Sequence, residues 1–453
     1  MKAPFSILAI PATWCLVALC TVETSAAEAT PPNIVIVLGD DHGWRDAGCY
    51  GNQEVRTPNL DHLAQQGLRF TQAFTATAMC APTRQQLYTG LFPVRNGAYP
   101  NHSRVRDGVK SLPHYLKKIG YRVALAGKTH IGPRASFPFE YLPLEKAEAF
   151  IERDDERPYC LVFASHHPHV KWTAGDASQY DPQKLTVPPQ LADTPETRSA
   201  LCRYYAEVTA LDEQVGSLMR CVREAGDEDN TIFLYTSEQG AQFPFGKWTC
   251  YDHGLHVELI VRWPGHVAAG RATDALVQYV DVVPTLLAAI GREPPAGLDG
   301  RSFLPVLLGE SDEHADYVYG VHTTQGIIAG RPYPIRSIRD RRYKYIRNLN
   351  ADEVFHNTVI ASDAENYWRS WVAAAETDEH AAARVTWYQR RPAEEFYDLE
   401  TDPYELHNLA ADPAHRDRIT AMRRRLEAWM KQQGDEGMAT ELQAGEHRQG
   451  RNR

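Results

Sequence analysis

The stretch NIVIVLGDD, residues 33–41, decides the fold class of this chain. Residues 33–38 are a continuous run rich in β-branched side chains, typical of a strand buried on both faces of a parallel sheet. Two carboxylates, Asp40 and Asp41, follow the run directly. Ligands of open α/β sheets bind at the carboxyl ends of strands, so the same stretch also predicts one edge of a functional site.

Apolar runs alternate with helical patterns on the carboxyl side of this strand. Further buried strands are predicted at residues 122–126, 159–164, 231–235 and 259–262. Helices are predicted at residues 57–67, 112–119 and 195–225, where apolar stripes coincide with capping residues or a closing Gly. This alternation predicts an α/β fold, with a large, mostly parallel sheet sandwiched by helices.

The pattern changes after about residue 330. Residues 334–349 have the pattern of a β-hairpin, residues 395–399 predict another strand, and residues 412–433 predict an amphipathic, Arg-rich helix. A chain of 453 residues is also too long for one compact core. We therefore expect a main α/β domain at residues 28–330 and a smaller C-terminal α+β subdomain at residues 331–453. The subdomain would contain an antiparallel sheet and a polar tail after about residue 435.

The net charge limits the classes of partner. The chain carries 48 Lys and Arg against 58 Asp and Glu, a formal net charge of −10. This balance argues against nucleic acid, because phosphate binding needs a basic face, and the sequence has no dense Lys/Arg stripe. An anionic substrate therefore requires a local cationic site.

The first residues have the pattern of a secretory signal peptide, which we place at residues 1–27. Lys2 supplies a positive charge, residues 5–22 are mostly apolar, and Ser25-Ala26-Ala27 offers a small-residue cleavage site. The alternative is a membrane anchor, but Pro11 interrupts the run, and later segments fall short of the ~20 apolar residues that a span requires. We predict export without a stable membrane span, to the periplasm or the medium, or to the lysosome in a eukaryote.

Two oxygen-rich loops are candidates for a metal site. Glu238 and Gln239 follow the strand predicted at residues 231–235, as Asp40 and Asp41 follow the first strand. An isolated Asp pair is usually a solvated turn. Adjacent carboxylates repel unless a cation lies between them, and hard oxygen ligands favour Ca²⁺ or Mg²⁺. Two such loops at strand ends of one sheet can converge on one metal.

Cys80 stands apart from the other cysteines, which are too sparse and irregular for a disulfide scaffold or a CxxC zinc site. The stretch Cys80-Ala-Pro-Thr-Arg84 opens a short helical pattern that ends at Gly90. Pro82 fits the first turn, which leaves Cys80 at the amino end, where free N–H groups favour an anion. Arg84 adds a planar donor fork suited to an oxyanion.

This C-x-P-x-R stretch resembles the signature of the formylglycine-dependent (type I) sulfatases, a family of the alkaline-phosphatase-like superfamily. The resemblance runs from Asn33 to residues 396–403. It implies that a formylglycine-generating enzyme oxidises Cys80 to Cα-formylglycine during maturation. Thr83 stands where the family usually has Ser, but the Cys, Pro and Arg are in place.

The resemblance also implies one Ca²⁺ per chain. Its ligands would be Asp40, Asp41, the modified Cys80, Glu238 and Gln239. The family usually has Asp, and then Asn or His, at the last two positions, so each side chain here is one methylene longer than the usual Asp or Asn. The metal geometry is therefore the part of the resemblance that this sequence departs from most.

Four more residues match family positions that imply roles in catalysis. They are Lys128 and His130 in a G-K-x-H stretch, His169 in residues 166–169 (HHPH), and Lys247. A hydroxyl of hydrated formylglycine would attack sulfur while Ca²⁺, Arg84, Lys128 and Lys247 offset charge on the sulfuryl oxygens. His169 or Lys247 would protonate the leaving group, and His130 would serve as the base that lets sulfate leave. Taken singly, either lysine would be a surface charge, and at least one histidine of residues 166–169 a hydrogen-bonded structural residue.

Segments outside these motifs resemble the heparan N-sulfatase (N-sulfoglucosamine sulfohydrolase) group. They are residues 96–97, 127–133, 137–139, 180–182, 334–337 and 348–350. We expect residues 132–139 and 336–350 to wall the pocket from opposite domains. The substrate would be a sulfated saccharide, specifically an N- or O-sulfated amino sugar such as the N-sulfoglucosamine of heparin or heparan sulfate.

Three alternatives stay open at this point. One is an O-sulfatase that acts on another sulfated polysaccharide. Another is a phosphatase or phosphonate hydrolase of the same superfamily, although Cys80 with Pro82 and Arg84, and the lack of a multi-His metal set, argue against it. The third is a glycan-binding protein with an unmodified Cys80. The oligomeric state, monomer or homodimer, is also open.

Overall fold

The computed structural model describes residues 1, 30–153, 156–328, 331–361 and 365–447. The predicted signal peptide, residues 1–27, therefore lies outside the described residues apart from Met1. None of the helices within these ranges has both the length and the apolar character that a membrane span needs. The described residues from Pro32 onward belong to one compact unit.

Thirteen strands form two sheets within the described ranges. The large sheet contains β1 (Asn33–Gly39), β2 (Leu68–Phe74), β3 (Arg122–Gly127), β4 (Glu140–Leu142), β5 (Tyr159–Ala164), β6 (Thr231–Ser237), β7 (His256–Arg262), β8 (Arg271–Thr273) and β9 (Val277–Gln278). The small sheet contains β10 (Val318–His322), β11 (Ile335–Arg339), β12 (Tyr343–Asn348) and β13 (Glu394–Asp398).

Helices surround both sheets. In the first half of the chain they are α1 (Pro58–Gln66), α2 (Cys80–Thr89), α3 (Pro93–Asn96), α4 (Leu112–Lys118), α5 (Ala147–Ile151) and α6 (Pro195–Glu224). In the second half they are α7 (Asp252–Leu255), α8 (Val282–Ala289), α9 (Leu304–Leu307), α10 (Thr358–Ala361), α11 (Tyr367–Ala374), α12 (Glu379–Gln389), α13 (Arg416–Gln433) and α14 (Met438–Gln443).

The large sheet has the strand order β4-β3-β5-β1-β6-β7-β2-β8, with β9 paired to β2. β1 runs parallel to both neighbours, with Leu38 opposite Ala164 of β5 and Gly39 opposite Ser237 of β6. β7 departs from this arrangement, because it is antiparallel to β6 and to β2. The predicted large, mostly parallel sheet is confirmed, and its register brings the loops after β1 and β6 to the same edge.

Both faces of the sheet are covered by helices, as predicted. All of β1 is buried, and its side chains alternate between two hydrophobic clusters. Val35 and Val37 pack with residues of α1 and α6, whereas Ile34 and Ile36 pack with residues of α4 and α8. The apolar run from Ile34 to Leu38 therefore has apolar partners on both faces of the sheet.

α2 begins at Cys80, as the position of Pro82 predicts, and Gly90 ends it with a positive φ of 68°. Every residue of α2 is buried, including the polar Arg84 and Gln85. Gln85 Oε1 accepts hydrogen bonds from the backbone N–H groups of Val105 (3.1 Å) and Gly132 (3.2 Å). A polar helix is stable inside the protein here because its side chains bind the backbone of surrounding loops.

The small sheet is antiparallel in the order β10-β11-β12-β13, so the predicted hairpin and the strand after it are confirmed. The small sheet begins earlier in the chain than predicted, because β10 lies before residue 331, where we expected the subdomain to start. The polar tail expected after about residue 435 is also different: it contains α14, and Glu441 is fully buried where it accepts the N–H of Thr324 at 2.9 Å. Buried polar partners thus hold a segment that is hydrophilic by composition.

Candidate active site

The loops after β1 and β6 meet beneath the amino end of α2. The backbone N–H of Glu238 donates to the carbonyl of Gly39 at 2.9 Å, which joins the two loops directly. One donor atom from each of four residues, Asp40, Asp41, Cys80 and Glu238, lies within 4.8 Å of the others, and all four residues are buried. The convergence expected from the sequence is therefore present.

This cluster fits a hard cation. Asp40 Oδ1 and Gln239 Oε1 are buried and have no hydrogen-bond partner among the described residues. Gln239 Nε2 lies 2.7 Å from Asp41 Oδ1 and 3.1 Å from Glu238 Oε1, and rotation of the amide would turn Oε1 toward the same atoms. Burial and the neighbouring Glu238 raise the pKa of Asp40 well above its usual value. The cluster thus holds more negative charge than the interior favours, and Ca²⁺ would offset it.

Three cations surround the acidic cluster. Lys128 Nζ lies 2.5 Å from Asp40 Oδ2, and Lys247 Nζ lies 2.6 Å from Asp41 Oδ2. Arg84 donates through Nε to Glu238 Oε2 at 2.5 Å. Both lysines line the cavity described below, but Arg84 is fully buried behind Glu238 and does not. Arg84 thus contacts the acidic cluster through Glu238, and its Nη2 is buried without a hydrogen-bond partner among the described residues.

Cys80 lies at the base of a cavity of about 710 Å³. Burial opposes ionisation of its thiol, but Lys128, Lys247 and a hydrogen bond from His130 hold its pKa well below the usual range. Gln239 Nε2 is 3.4 Å from Cys80 Sγ. The site therefore favours an anionic group at this position.

Histidines line one side of this cavity. His130 Nε2 is 2.8 Å from His102 Nδ1, and His169 Nε2 is 3.8 Å from Asp41 Oδ2. His167 is the hydrogen-bonded structural histidine expected in residues 166–169, because its Nδ1 is 2.7 Å from Glu207 Oε2. His130 and His169 both line the cavity, and their predicted roles in catalysis stay predictions.

Some cavity residues carry no signal in the sequence. His102 belongs to the site through its contact with His130. Glu207 contacts His167 and accepts hydrogen bonds from the backbone N–H groups of Thr173 (2.7 Å) and Ala174 (2.9 Å). Gln242 lines the cavity as well. These contacts join segments distant in sequence, so local pattern could not reveal them.

The expected pocket walls are wrong. Among the described residues that line the cavity, none belongs to residues 132–139 or 336–350. Phe137 is fully buried in the core, and Arg336 is fully buried in an ion pair with Asp435. The C-terminal part of the chain contributes Gly326, Ile327 and Thr358 instead.

This geometry suits chemistry on a tetrahedral anion. The ammonium groups of Lys128 and Lys247 act on Cys80, and an acidic cluster suited to a cation includes it. Positive charges fixed in a buried site stabilise charge that develops on transferred oxygens, since they need no reorganisation during the reaction. Imidazoles at the cavity wall can donate or accept the protons that such a transfer moves.

Comparisons with known proteins agree with this arrangement. A family model described as Sulfatase matches residues 32–142 and 139–292, and one described as N-sulphoglucosamine sulphohydrolase, C-terminal, matches residues 240–367. An ulvan-active sulfatase of Formosa agariphila is 36% identical over 429 residues, 91% of this chain and 83% of that relative. The N-sulphoglucosamine sulphohydrolase of Homo sapiens is 30% identical over 459 residues, 88% of this chain and 90% of that relative.

A solved structure shares the fold. It is a protein in complex with its substrate D-glucosamine-2-N,6-O-disulfate, and it matches with a TM-score of 0.68 at 21% identity, over 90% of this chain and 99% of that chain. The predicted alkaline-phosphatase-like architecture, with its large sheet and separate antiparallel sheet, is thereby confirmed.

Proposed function

Since the chain belongs to the sulfatase family, whose members hydrolyse sulfate esters or sulfamates, we propose that it desulfates a glycan with a formylglycine nucleophile made from Cys80. The observation that carries the proposal is the position of Cys80, at the amino end of α2 and between Lys128 and Lys247. A hydrated formylglycine there supplies one hydroxyl that attacks sulfur and a second whose deprotonation releases sulfate.

Ca²⁺ is the proposed metal. Asp40, Asp41, Glu238 and Gln239 would hold it with the modified Cys80, and it would supply positive charge beside the sulfuryl oxygens. The two unpartnered oxygens, Asp40 Oδ1 and Gln239 Oε1, support this assignment. Elemental analysis should find one calcium per chain, and one zinc per chain would favour the phosphatase alternative instead.

The remaining residues of the site have distinct roles in this proposal. Lys128 and Lys247 bind the sulfuryl oxygens, because both ammonium groups line the cavity beside Cys80. His169 protonates the leaving group, and His130, which contacts Cys80, accepts the proton whose loss releases sulfate. Arg84 is a positioning residue, since its guanidinium is bonded to Glu238 and to the carbonyl of Lys128 at 3.0 Å.

Two classes of substrate are supported by the relatives. N-sulfoglucosamine is our first candidate, because residues 240–367, which match the C-terminal model of N-sulphoglucosamine sulphohydrolase, include the cavity residues Gly326, Ile327 and Thr358. An O-sulfate of an ulvan-like polysaccharide is the second, because the ulvan-active relative is 36% identical. Both would present a sulfated saccharide to the cavity.

The modification of Cys80 is tested by intact-mass spectrometry of protein made together with a formylglycine-generating enzyme. Conversion lowers the mass by about 18 Da, whereas an unmodified thiol reacts with iodoacetamide. Cys80→Ala should abolish sulfate release, and Cys80→Ser should release it slowly at most, because serine lacks the second hydroxyl. A folded Cys80→Ala variant with about a tenth of wild-type turnover would refute the nucleophile. It would then favour another hydrolase, whereas an unmodified Cys80 together with no sulfate release by the wild type would favour a glycan-binding protein.

The substrate is tested by kinetics on matched saccharides. Glucosamine N-sulfate should be cleaved at least about tenfold faster, by kcat/KM, than the 6-O-sulfate of N-acetylglucosamine, a difference of about 1.4 kcal/mol in transition-state binding. Ulvan oligosaccharides form the third arm. Preference for either O-sulfate would exclude the N-sulfatase assignment while leaving the sulfatase in place.

Export is proposed from the first residues alone. Expression with the native start should yield a mature protein that begins at Glu28, after cleavage behind Ala27. Amino-terminal sequencing of protein recovered outside the cytoplasm tests this. An uncleaved chain retained in the cytoplasm would contradict it.

A further inference from the structure

A second cavity, of about 440 Å³, lies apart from the catalytic one. Its lining is rich in aromatic side chains, among them Trp44, Tyr205, Phe243 and Tyr404. Among the described residues, none lines both cavities. Its volume is within the range of small-molecule sites, which begins at about 300 Å³.

One segment forms a wall between the two cavities. Ala241, Phe243 and Gly246 line the second cavity, whereas Gln242 and Lys247 line the catalytic one. The segment is buried throughout, and the N–H of Lys247 donates to the carbonyl of Ala241 at 2.9 Å. The second cavity is therefore a separate site and not an extension of the catalytic cavity.

The second cavity contains polar atoms that lack partners. Gln190 Oε1 and His253 Nε2 are buried and have no hydrogen-bond partner among the described residues. The Gln190 residue as a whole is only 5% exposed. The two side chains contact each other through Gln190 Nε2 and His253 Nδ1, 3.4 Å apart. Buried polar groups are nearly always hydrogen-bonded, so these atoms mark places for the polar groups of a ligand.

The chemistry of these groups suits hydroxyls. Burial lowers the pKa of His253 to about 3, so its ring is neutral, and with Nδ1 facing the Gln190 amide its Nε2 is left as a donor. Gln190 Oε1 is left as an acceptor, so the pair offers one of each to a hydroxyl, which both donates and accepts.

Planar side chains also lie along the second cavity. The guanidinium of Arg45 lies 4.4 Å from the ring of Trp44 and 4.8 Å from that of Tyr404. Tyr404 stacks on His253 with ring centroids 5.5 Å apart and planes 19° from parallel. Trp44 also stacks on His256 with ring centroids 3.8 Å apart, so these groups form one stack of planar, polarisable side chains, several of which line the cavity.

The charges of the second cavity do not favour an anion. Arg45 contributes one positive charge, but the carboxylates of Asp46 and Glu54 line the same cavity. The catalytic cavity differs, because it contains Lys128, Lys171 and Lys247. A sulfated sugar is therefore drawn to the catalytic cavity, and an uncharged sugar is the better match for the second.

We propose that the second cavity binds an uncharged, hydroxyl-rich sugar ring, such as an unsulfated unit of the glycan. The inference rests on the proposed function only in the choice of a saccharide as the ligand class. The aromatic side chains that line the cavity would pack against the ring, and Gln190 and His253 would bind its hydroxyls.

Ligand-observed NMR with two matched probes tests this on the full-length protein. Methyl β-D-glucopyranoside and methyl β-D-glucopyranosiduronate share one ring and differ in a hydroxymethyl against a carboxylate. The glucoside should bind saturably, and the glucuronide at least about fivefold more weakly. Tyr404→Ala should weaken glucoside binding at least about fivefold, since it removes an aromatic side chain from the cavity lining. Tyr317→Ala is the matched control, because Tyr317 stacks on Arg425 at 4.3 Å and lines neither cavity.

Each result supports or overturns the inference. Equal binding by wild type and a folded Tyr404→Ala variant would overturn it, as would tighter binding of the glucuronide or no saturable binding of the glucoside. His253→Ala is the second variant if Tyr404→Ala fails to fold, and it should weaken glucoside binding similarly. The assay needs no sulfate release, so an enzyme without sulfatase activity can still bind the glucoside. Conversely, an active sulfatase that does not bind the glucoside would overturn this inference and leave the proposed function in place.

Discussion

Gln239→Glu is the sharpest test of the metal site, because it exchanges one atom in the middle of the acidic cluster. Gln239 Nε2 lies 2.7 Å from Asp41 Oδ1 and 3.1 Å from Glu238 Oε1, and Gln239 is fully buried. The substitution replaces this donor with a carboxylate oxygen. Two like charges about 3 Å apart repel by about 5 kcal/mol at an effective dielectric constant of 20.

Protonation limits the loss of stability in the metal-free protein. The repulsion raises the pKa of the new carboxyl above the ~4.3 of the unfolded chain, so the destabilisation begins near that pH and grows as the pH rises. At pH 7 it cannot exceed about 3.7 kcal/mol, the cost of keeping the proton. For a compact unit that starts at Pro32 and spans about 420 residues, this lowers Tm by at most about 4 °C.

Calcium should reverse this effect, because a cation offsets the added charge and gains a carboxylate ligand. Scanning calorimetry in chelator and in saturating Ca²⁺ should show a larger Ca²⁺-dependent rise in Tm for Gln239→Glu than for wild type. Gln433→Glu is the matched control: Gln433 is 4% exposed, and its Nε2 is 3.4 Å from Asp299 Oδ1, outside the cluster. It should respond to Ca²⁺ as wild type does. Equal Ca²⁺ responses of wild type and Gln239→Glu would refute the assignment.

Three further substitutions probe the cations, the cavity wall and the C-terminal segment. Lys247→Met should lower kcat/KM for the sulfated substrate about a hundredfold or more, because the site loses one fixed donor to the sulfuryl oxygens. A kcat/KM near the wild-type value in steady-state kinetics would exclude the proposed role of Lys247. Glu207→Gln should cost about tenfold in kcat/KM, because misplaced cavity residues slow the reaction, whereas an unchanged value would mean that the contact with His167 does not position the wall. Arg336→Met should lower the free energy of unfolding, measured by urea titration, by about 3–5 kcal/mol, because it leaves Asp435 buried without its partner. A decrease below about 1 kcal/mol would show that this ion pair does not anchor the segment after residue 435.

Local chemistry was sufficient to predict the elements that carry the site. A run of β-branched residues explains why both faces of β1 are buried. Pro82 in the first turn and Gly90 after the last residue indicate where α2 begins and ends. Asp40, Asp41, Glu238 and Gln239 were predictable as one cluster because each pair follows a strand of the same parallel sheet. The strand β2 carried a weaker signal, since its burial pattern is mixed and its register shifts between Phe70 and Ala73.

Tertiary structure alone decided which side chains share a cavity. β1 lies between β5 and β6, and this strand order brings Asp41, His169 and Lys247 together from distant parts of the chain. Residues 132–139 and 336–350 resemble a sulfatase group in sequence, but none of them lines the catalytic cavity. The second cavity likewise joins Arg45, Gln190 and Tyr404. A sequence pattern records which residues favour a strand, a helix end or an interior, whereas a cavity forms between elements and depends on how all of them pack.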